Sequence, residues 1–347
     1  MIDVQSTAVP IFFRKKLSLL PETVTVLAGD IGATKTNLAL FEFNNTEPVI
    51  LYEAQFHSAN FKDVTAILQQ FLANQKKPGR ISLGVAGPVI DEKAMITNLH
   101  WEIDSGRIRE KCGIEEVRLI NDLEALAYGL AGLGTTDCTT LLKGKKNMPG
   151  NIAVIAPGTG LGEAGLYWDG EFYHPFATEG GHCDFAPRCG LDIELYSYLE
   201  EKFGHVSWER LVSGPGICNI YEFLRDIKKR KQPRWLEEKL SHGDTAATIS
   251  QYASKGECPV CNETMTMFLC YLAEESANLA LKFKATGGIF IGGGILPKIR
   301  YLVDRNIFAG NFCRAGRLQT LLERIPVKIV LNDKTALRGA AFYGAYA

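Results

Sequence analysis

Two segments of this chain share one layout, and that repetition limits the fold more than anything else in the sequence. "VTVLAGDIGATKTNLALFEF" (24–43) followed by "PVILYEAQFH" (48–57) reads as strand, small-residue turn, strand, strand. "NIAVIAPGTGLGEAGLYWDGEFYHP" (151–175) reads as strand, Gly-rich turn, strand, Asp-Gly turn, strand. Apolar residues occupy both sides of these strands, so each is expected to be buried on two faces and not on one. An internal repeat of this size predicts two α/β domains built on related hairpin-led units, each carrying a small-residue turn at a strand end. Turns of that kind let backbone N–H groups face an anion.

The first turn comes within one residue of a phosphate-binding P-loop, with Thr34 where the motif needs glycine. The residues after Lys35 argue against that motif. A P-loop runs into a helix whose N-terminus cradles the phosphates, whereas "NLALFEF" has strand character. "GLGEAG" (160–165) matches the dinucleotide G-x-G-x-x-G pattern, but it too runs into a hairpin. Both stretches therefore read as hairpin turns. Asp30 suits a phosphate that carries Mg²⁺ better than a bare one.

Between and after the repeats the pattern is mixed. "FKDVTAILQQFLANQ" has a helical apolar stripe, "ISLGVAG" and "VRLIND" read as buried strands, and "LEALAYGLAGL" reads as a helix. "GLGTTDCTTLLKGKKNMPGN" reads as loop. "LDIELYSYLEEKFG" and "TMTMFLCYLAEESANLALKFKA" read as helices, "GGIFIGGG" as a strand running into three glycines, "VKIVLND" as a late strand, and "ALRGAAFYGAYA" as a closing helix that packs back on the first domain.

The 347 residues suffice for two ordinary domains, and 46% hydrophobic with 22% charged residues is a globular composition. A net charge of −1 with no long basic run argues against a nucleic-acid surface, and no apolar run is long enough to span a bilayer. Near the N-terminus Arg14, Lys15 and Lys16 follow the apolar run "VPIFF" instead of preceding it, so an arm is expected there and not a targeting segment. Nine scattered cysteines form no disulfide framework and point to a reducing cytoplasm. "CPVC" (258–261) has the spacing of half a zinc site but no second pair to complete it.

Taken in order from Val26 onward, these pieces resemble the bacterial-type glucokinase family of the actin, Hsp70 and sugar-kinase superfamily. "GDIGATKTN" resembles the first phosphate motif, "APGTGLG" the second and "GGIFIGGG" the adenosine motif; "TNLHW", "LIND", "EGGHCDFAP" and "SWERLVSGPG" resemble sugar-site segments. The resemblance implies an α/β fold of two RNase H-like domains around a central cleft. It implies an N-terminal arm (1–24), a small domain (25–132 plus 334–347) and a large domain (133–333). The implied reaction is ATP- and Mg²⁺-dependent phosphorylation of glucose at the 6-hydroxyl, with closure of the cleft on the sugar. Gly29, Asp30, Gly32, Ala33, Thr34, Lys35, Thr159, Gly160, Gly292, Gly293 and Gly294 are the implied nucleotide-binding positions, with Asp30 orienting Mg²⁺ through water. Asn98, Asn121, Asp122, Glu179, His182 and Glu209 are the implied sugar contacts. The resemblance leaves a homodimer open.

Several positions carry a plainer alternative. Asp122 is expected either as the general base or as the N-cap of the helix after it. His182 is a sugar ligand or a core histidine, and Glu209 a sugar contact or a solvated helix residue. The three glycines are an adenosine contact or a tight turn. Ala33 replaces a glycine common in the family, which is tolerable only with a negative φ. The zinc-binding cysteine cluster and helix-turn-helix of the related sugar kinases and repressors are missing from the sequence. A regulator or scaffold of the same fold, an actin-like ATPase, and a kinase for another hexose are the rival functions.

Overall fold

The computed structural model describes residues 9–14, 23–44, 48–96, 99–145, 148–241 and 243–346. It is a mixed α/β protein of two compact units. One comprises the described residues up to Cys138, together with Ala164–Ala177 and those from Asn332 onward. The other comprises Thr139–Glu163 and Thr178–Leu331. Of the expected N-terminal arm, residues 1–8 and 15–22 lie outside the described residues, as does Asn98.

The first sheet has five strands: β1 (Val24–Ile31), β2 (Lys35–Phe43), β3 (Val49–His57), β4 (Arg80–Val85) and β8 (Glu116–Asn121), in the order β3-β2-β1-β4-β8. The hairpin expected from the sequence is present, with β1 and β2 antiparallel from Val24↔Phe43 to Ile31↔Thr36. β4 runs parallel to β1, and β8 parallel to β4. Period-two alternation explains why the strands are apolar on both sides. Leu27, Ile31, Leu38 and Leu40 face a core shared with α1 (Val64–Leu72). Val26, Ala28, Ala39, Phe41 and Phe43 face the other way, against α12 (Thr335–Tyr346). The closing helix thus packs on the first sheet. It crosses α3 (Asp122–Gly129) closely, because Gly339 sits against the Ala125 carbonyl and Gly129 against that of Thr335. Arg80 donates to the carbonyls of Gly344 and Ala345 at 3.1 and 2.8 Å, closing the C-terminal end of α12.

A second small sheet, which local sequence pattern does not announce, is formed by β5 (Val89–Ile90), β6 (Lys93–Ile96) and β7 (Trp101–Asp104), and α2 (Ser105–Cys112) comes after it. Its tight turn is Asp91-Glu92, with φ of 50° and 59°. Such hairpin turns are normally marked by Asn-Gly or Asp-Gly. Here Glu92 is held instead by the Ser105 hydroxyl and by Arg109, at 2.8 and 2.7 Å.

The six-stranded sheet has the order β12-β11-β10-β13-β14-β9. Its members are β9 (Cys138–Leu142), β10 (Ile152–Pro157), β11 (Leu161–Trp168), β12 (Tyr173–Thr178), β13 (Gly288–Ile291) and β14 (Val327–Val330). β9 corrects the loop expected at 132–151. The five strands β12-β11-β10-β13-β14 repeat the order of the first sheet, and β10, β13 and β14 are parallel. The remaining helices are α4 (Gly190–Phe203), α5 (Gly214–Asp226), α6 (Arg234–Leu240), α7 (Thr245–Ser254), α8 (Pro259–Lys282), α9 (Leu296–Ile299), α10 (Arg305–Phe312) and α11 (Gln319–Leu322). α8 runs through the core of the second unit and is buried on most of its faces, including the polar Thr264, Glu274, Glu275 and Ser276. Cys258 and Cys261 are buried at its start, and burial pushes the Cys261 thiol up. Among the described residues no helix is long and apolar enough to cross a membrane.

Candidate functional site

In each unit the candidate residues gather at one edge of a sheet, where the parallel strands end. In the first, Ile31, Val85 and Asn121 stand in one row across β1, β4 and β8. Asp30 precedes that row and Asp122 comes just after it. In the second, the turn 158–160 follows β10 and the glycines 292–294 follow the neighbouring parallel β13. Carboxyl ends of parallel strands are where open α/β sheets place ligands.

The turn Gly32-Ala33-Thr34 is tied down from behind. The Gly32 N–H donates to Lys35 O at 3.0 Å, the Ser58 hydroxyl donates to Gly32 O at 2.8 Å, and Ser58 N–H donates to Thr34 O at 3.2 Å. The hydroxyls of Ser58 and buried Thr36 bond each other at 3.0 Å. Ala33 is absent from the residues with positive φ, so it meets the condition set by its methyl group. Thr34 and Lys35 are exposed. Gly29 lies inside β1, where a Cβ would press on the Leu83 and Leu38 methyls at 2.6 and 2.9 Å, so a side chain there would have to displace them. Asp30 accepts from Asn37 Nδ2 at 3.2 Å, and Asn37 in turn accepts from Gln55 Nε2 at 2.7 Å. Burial pushes the Asp30 carboxyl up, against the opposing pull of the Asn37 bond. A half-buried carboxylate with one amide donor among the described residues fits a cation or its bound water.

Asp122 is the first residue of α3, and the cap belongs to its neighbour. Asn121 Oδ1 accepts from the Leu123 and Glu124 N–H groups at 2.9 and 3.2 Å, while its Nδ2 donates to Gly87 O at 3.1 Å. Asn121 is therefore buried and largely engaged as the cap, and the half-buried Asp122 also accepts from the Leu123 N–H, at 2.9 Å.

In the second unit the turn Gly158-Thr159-Gly160 is closed by Gly158 N–H donating to Gly160 O at 2.8 Å. Thr159 is exposed. Gly214 N–H donates to Gly158 O at 2.8 Å, docking the start of α5 on the turn. Glu209 is half-buried; its Oε2 accepts from Leu161 N–H at 2.9 Å and lies 2.5 Å from where a Gly160 Cβ would stand. It is not a solvated helix residue.

Glu179 leads into a 3₁₀ turn, Gly180–His182, in which His182 N–H donates to Glu179 O at 3.0 Å. Glu179 and His182 are both exposed, so His182 is no core histidine. The turn rests on β11: Gly181 packs on the Leu161 carbonyl and Gly180 on the Glu163 carboxyl. Gly292 N–H donates to Ile155 O at 2.8 Å. Gly293 has φ +79° and leaves no room for a Cβ, which would stand 2.5 Å from Pro157 O, whereas Gly294 faces open space. Gly293 thus has a structural reason to be a glycine, and Gly294 has none. Sequence reasoning missed the supporting residues Asn37, Gln55, Ser58 and Glu163. A polar Asn inside "TNLALFEF" and a Glu inside "GLGEAGLYW" were the available signals.

A family model described as Glucokinase matches residues 27–346. The chain is 40% identical to the glucokinase of Synechocystis sp. over 348 residues, covering 93% of this chain and 98% of that protein. It is also 40% identical to the glucokinase of Nostoc punctiforme over 338 residues, covering 92% and 98%. Among solved structures, a glucokinase from an Antarctic psychrotroph superposes with a TM-score of 0.76 at 33% identity, covering 91% of this chain and 97% of that one. A motif order that spans the chain, a doubled strand order and relatives matched over nearly their full lengths all agree: this chain belongs to the glucokinase family.

Proposed function

We propose that this chain performs the family reaction, phosphorylation of glucose by MgATP, with a division of labour among its site residues. Asp122 takes the proton of the glucose 6-hydroxyl as that oxygen bonds to the γ-phosphorus. Asn121, through its cap and its bond to Gly87, holds the backbone from which Asp122 projects. Glu179, His182 and Glu209 pair with sugar hydroxyls, where each bond left unmade penalises a wrong epimer; Asn98 is retained as a further sugar contact. The backbone of Gly32–Thr34 and of Thr159-Gly160 faces the phosphates, Lys35 stands beside them, and Gly294 lets a nucleoside approach. Mg²⁺ offsets the charge that develops on the transferred phosphoryl group. Asp30, oriented by Asn37, would hold it through water.

The small domain (25–132 with 334–347) and the large domain (133–333) are read as RNase H-like lobes that close on glucose. The single observation behind this reading is the doubled strand order, with each of these turns on the edge where parallel strands end. The negative φ of Ala33 supports an intact phosphate turn over a scaffold that has lost catalysis. The test is a coupled assay of ADP release across glucose, mannose, fructose and glucosamine. Turnover that requires Mg²⁺, prefers glucose and falls by about 10²–10⁴-fold in Asp122→Asn is expected. Sugar-independent turnover, or full activity in Asp122→Asn, would refute the assignment.

A further inference from the structure

Two buried carboxyls lie beneath the Glu179–His182 turn, and the proposed chemistry uses neither. Glu163, on β11, is 1% exposed and Glu275, on α8, is 0% exposed. Among the described residues, neither oxygen of Glu163 receives a hydrogen bond from an N–H or hydroxyl group. Its side chain meets that of Glu275 within hydrogen-bonding reach. Glu275 is better provided for: Asn278 Nδ2 donates to its Oε2 at 2.7 Å and Lys282 Nζ stands 3.5 Å from its Oε1. Two carboxylates in contact inside a core cannot both ionise cheaply, so one proton belongs to the pair. With Glu275 already holding donors, Glu163 is the partner that carries the proton and donates it.

The pair sits directly under the turn. Glu163 Oε2 fills the space into which a side chain at Gly180 would point. The Glu163 carbonyl accepts from the Thr178 hydroxyl at 2.9 Å, and that hydroxyl accepts from Gly180 N–H at 3.3 Å. We propose that Glu163 is a positioning residue of the glucose site: bonded to Glu275, it holds up the turn that presents Glu179 and His182. This inference rests on the reading of that turn as the sugar-binding segment.

Burial first, and then the Glu275 charge, push the Glu163 carboxyl up to about 8, with Lys282 pulling the other way. The ionisable groups that face Glu163 are Glu275 and Lys282, both from α8. The turn over the pair offers the Gly180 backbone, with exposed Glu179 and His182 at its ends; of the strands flanking β11, β10 carries no charged side chain and β12 carries His174, which pairs with Asp169. Loss of the shared proton puts two like charges in contact under Gly180, and the turn is the part free to yield.

Glucose KM and kcat measured from pH 6.5 to 9.5 test this in the full-length enzyme, alongside hydrogen exchange of the 180–183 amides corrected for intrinsic rates. For the wild type, glucose KM is expected to be flat below about pH 8 and then to rise by up to about tenfold per pH unit, since one proton is at stake. Exchange at the turn should rise over the same range. Glu163→Gln, whose amide still donates to Glu275, should keep the neutral-pH KM and lose both alkaline effects. Glu163→Ala should raise glucose KM more than it lowers kcat. A wild type and a Glu163→Gln variant with the same pH profile of exchange at the turn would overturn the proposal. Exchange needs no substrate, so an enzyme without glucose-dependent turnover would refute the functional reading while exchange still decides the role of the pair.

Discussion

The carboxylate of Glu209 holds the backbone N–H of Leu161, 2.9 Å away and 48 positions earlier in the chain. One oxygen of a proposed sugar contact is thereby bound to the residue just after the proposed phosphate turn. Removing it should disturb both ligands. Glu209→Ala is expected to raise KM for glucose and for ATP together, by roughly 1–3 kcal/mol of lost binding each, because a half-buried N–H is left without its acceptor. Glu209→Gln keeps an acceptor and should cost less for ATP than for glucose. Steady-state kinetics with each substrate varied in turn separate the two.

Asp122 and Asn121 should divide activity from stability. Asp122→Asn is expected to lower kcat by about 10²–10⁴-fold with little change in unfolding free energy. Asn121→Ala removes the cap of α3 and should cost about 0.5–2 kcal/mol in urea unfolding. Activity lost equally in both, with equal destabilisation, would show that Asp122 merely supports the helix.

Asp30 should show the opposite trade. Asp30→Asn removes a half-buried charge that desolvation disfavours, so a gain of up to about 1 kcal/mol in unfolding free energy is expected alongside a large fall in kcat and a higher Mg²⁺ requirement. Unfolding curves and Mg²⁺ titrations of one preparation check both halves.

The three glycines after β13 are expected to separate by mutation. Gly293→Ala forces a side chain into positive φ and against Pro157 O, and should destabilise the protein by about 2 kcal/mol or more. Gly294→Ala meets open space and should fold normally. A several-fold rise in KM for ATP with unchanged KM for glucose is its expected signature, and unchanged KM for both would remove Gly294 from the nucleotide site.

Buried Glu274 predicts a pH dependence of stability. Burial pushes its carboxyl up to about 7 from 4.5, Arg188 opposing. Its folded-state value lies above its unfolded one, so the native state takes up a proton between those limits. Stability is therefore highest below about pH 4.5 from this group alone, and falls by at most about 1.4 kcal/mol per pH unit up to about pH 7. The gain of Glu274→Gln over wild type should be larger at pH 7.5 than at pH 5 in urea unfolding.

Much of this architecture was legible because it is written in local pattern. Strands apolar on both sides and turns of small residues gave both hairpins, and period-3.6 stripes gave α1, α4 and α8. The β5–β6 hairpin escaped because its turn uses Asp91-Glu92 and is stabilised from α2, outside any local window. β9 escaped because "CTTLL" is short and set among turn residues. At "ND" two good capping residues stand side by side, and only the observed bonds show that Asn121 is the cap while Asp122 Oδ1 shares the Leu123 N–H. The Glu209–Leu161 bond and the Glu163–Glu275 contact join residues far apart in sequence, and no local window reports them.

The packing of α12 on the first sheet also bears on how this polypeptide is made. Val26, Ala28, Ala39, Phe41 and Phe43 leave the ribosome long before Leu337, Ala341 and Phe342, which cover them. A nascent chain stalled before Thr335 would carry that oily strand face uncovered, a target for chaperones and a seed for aggregates. All of the second unit's core residues precede α12 in the chain, whereas the first sheet's second face waits for that helix to be made.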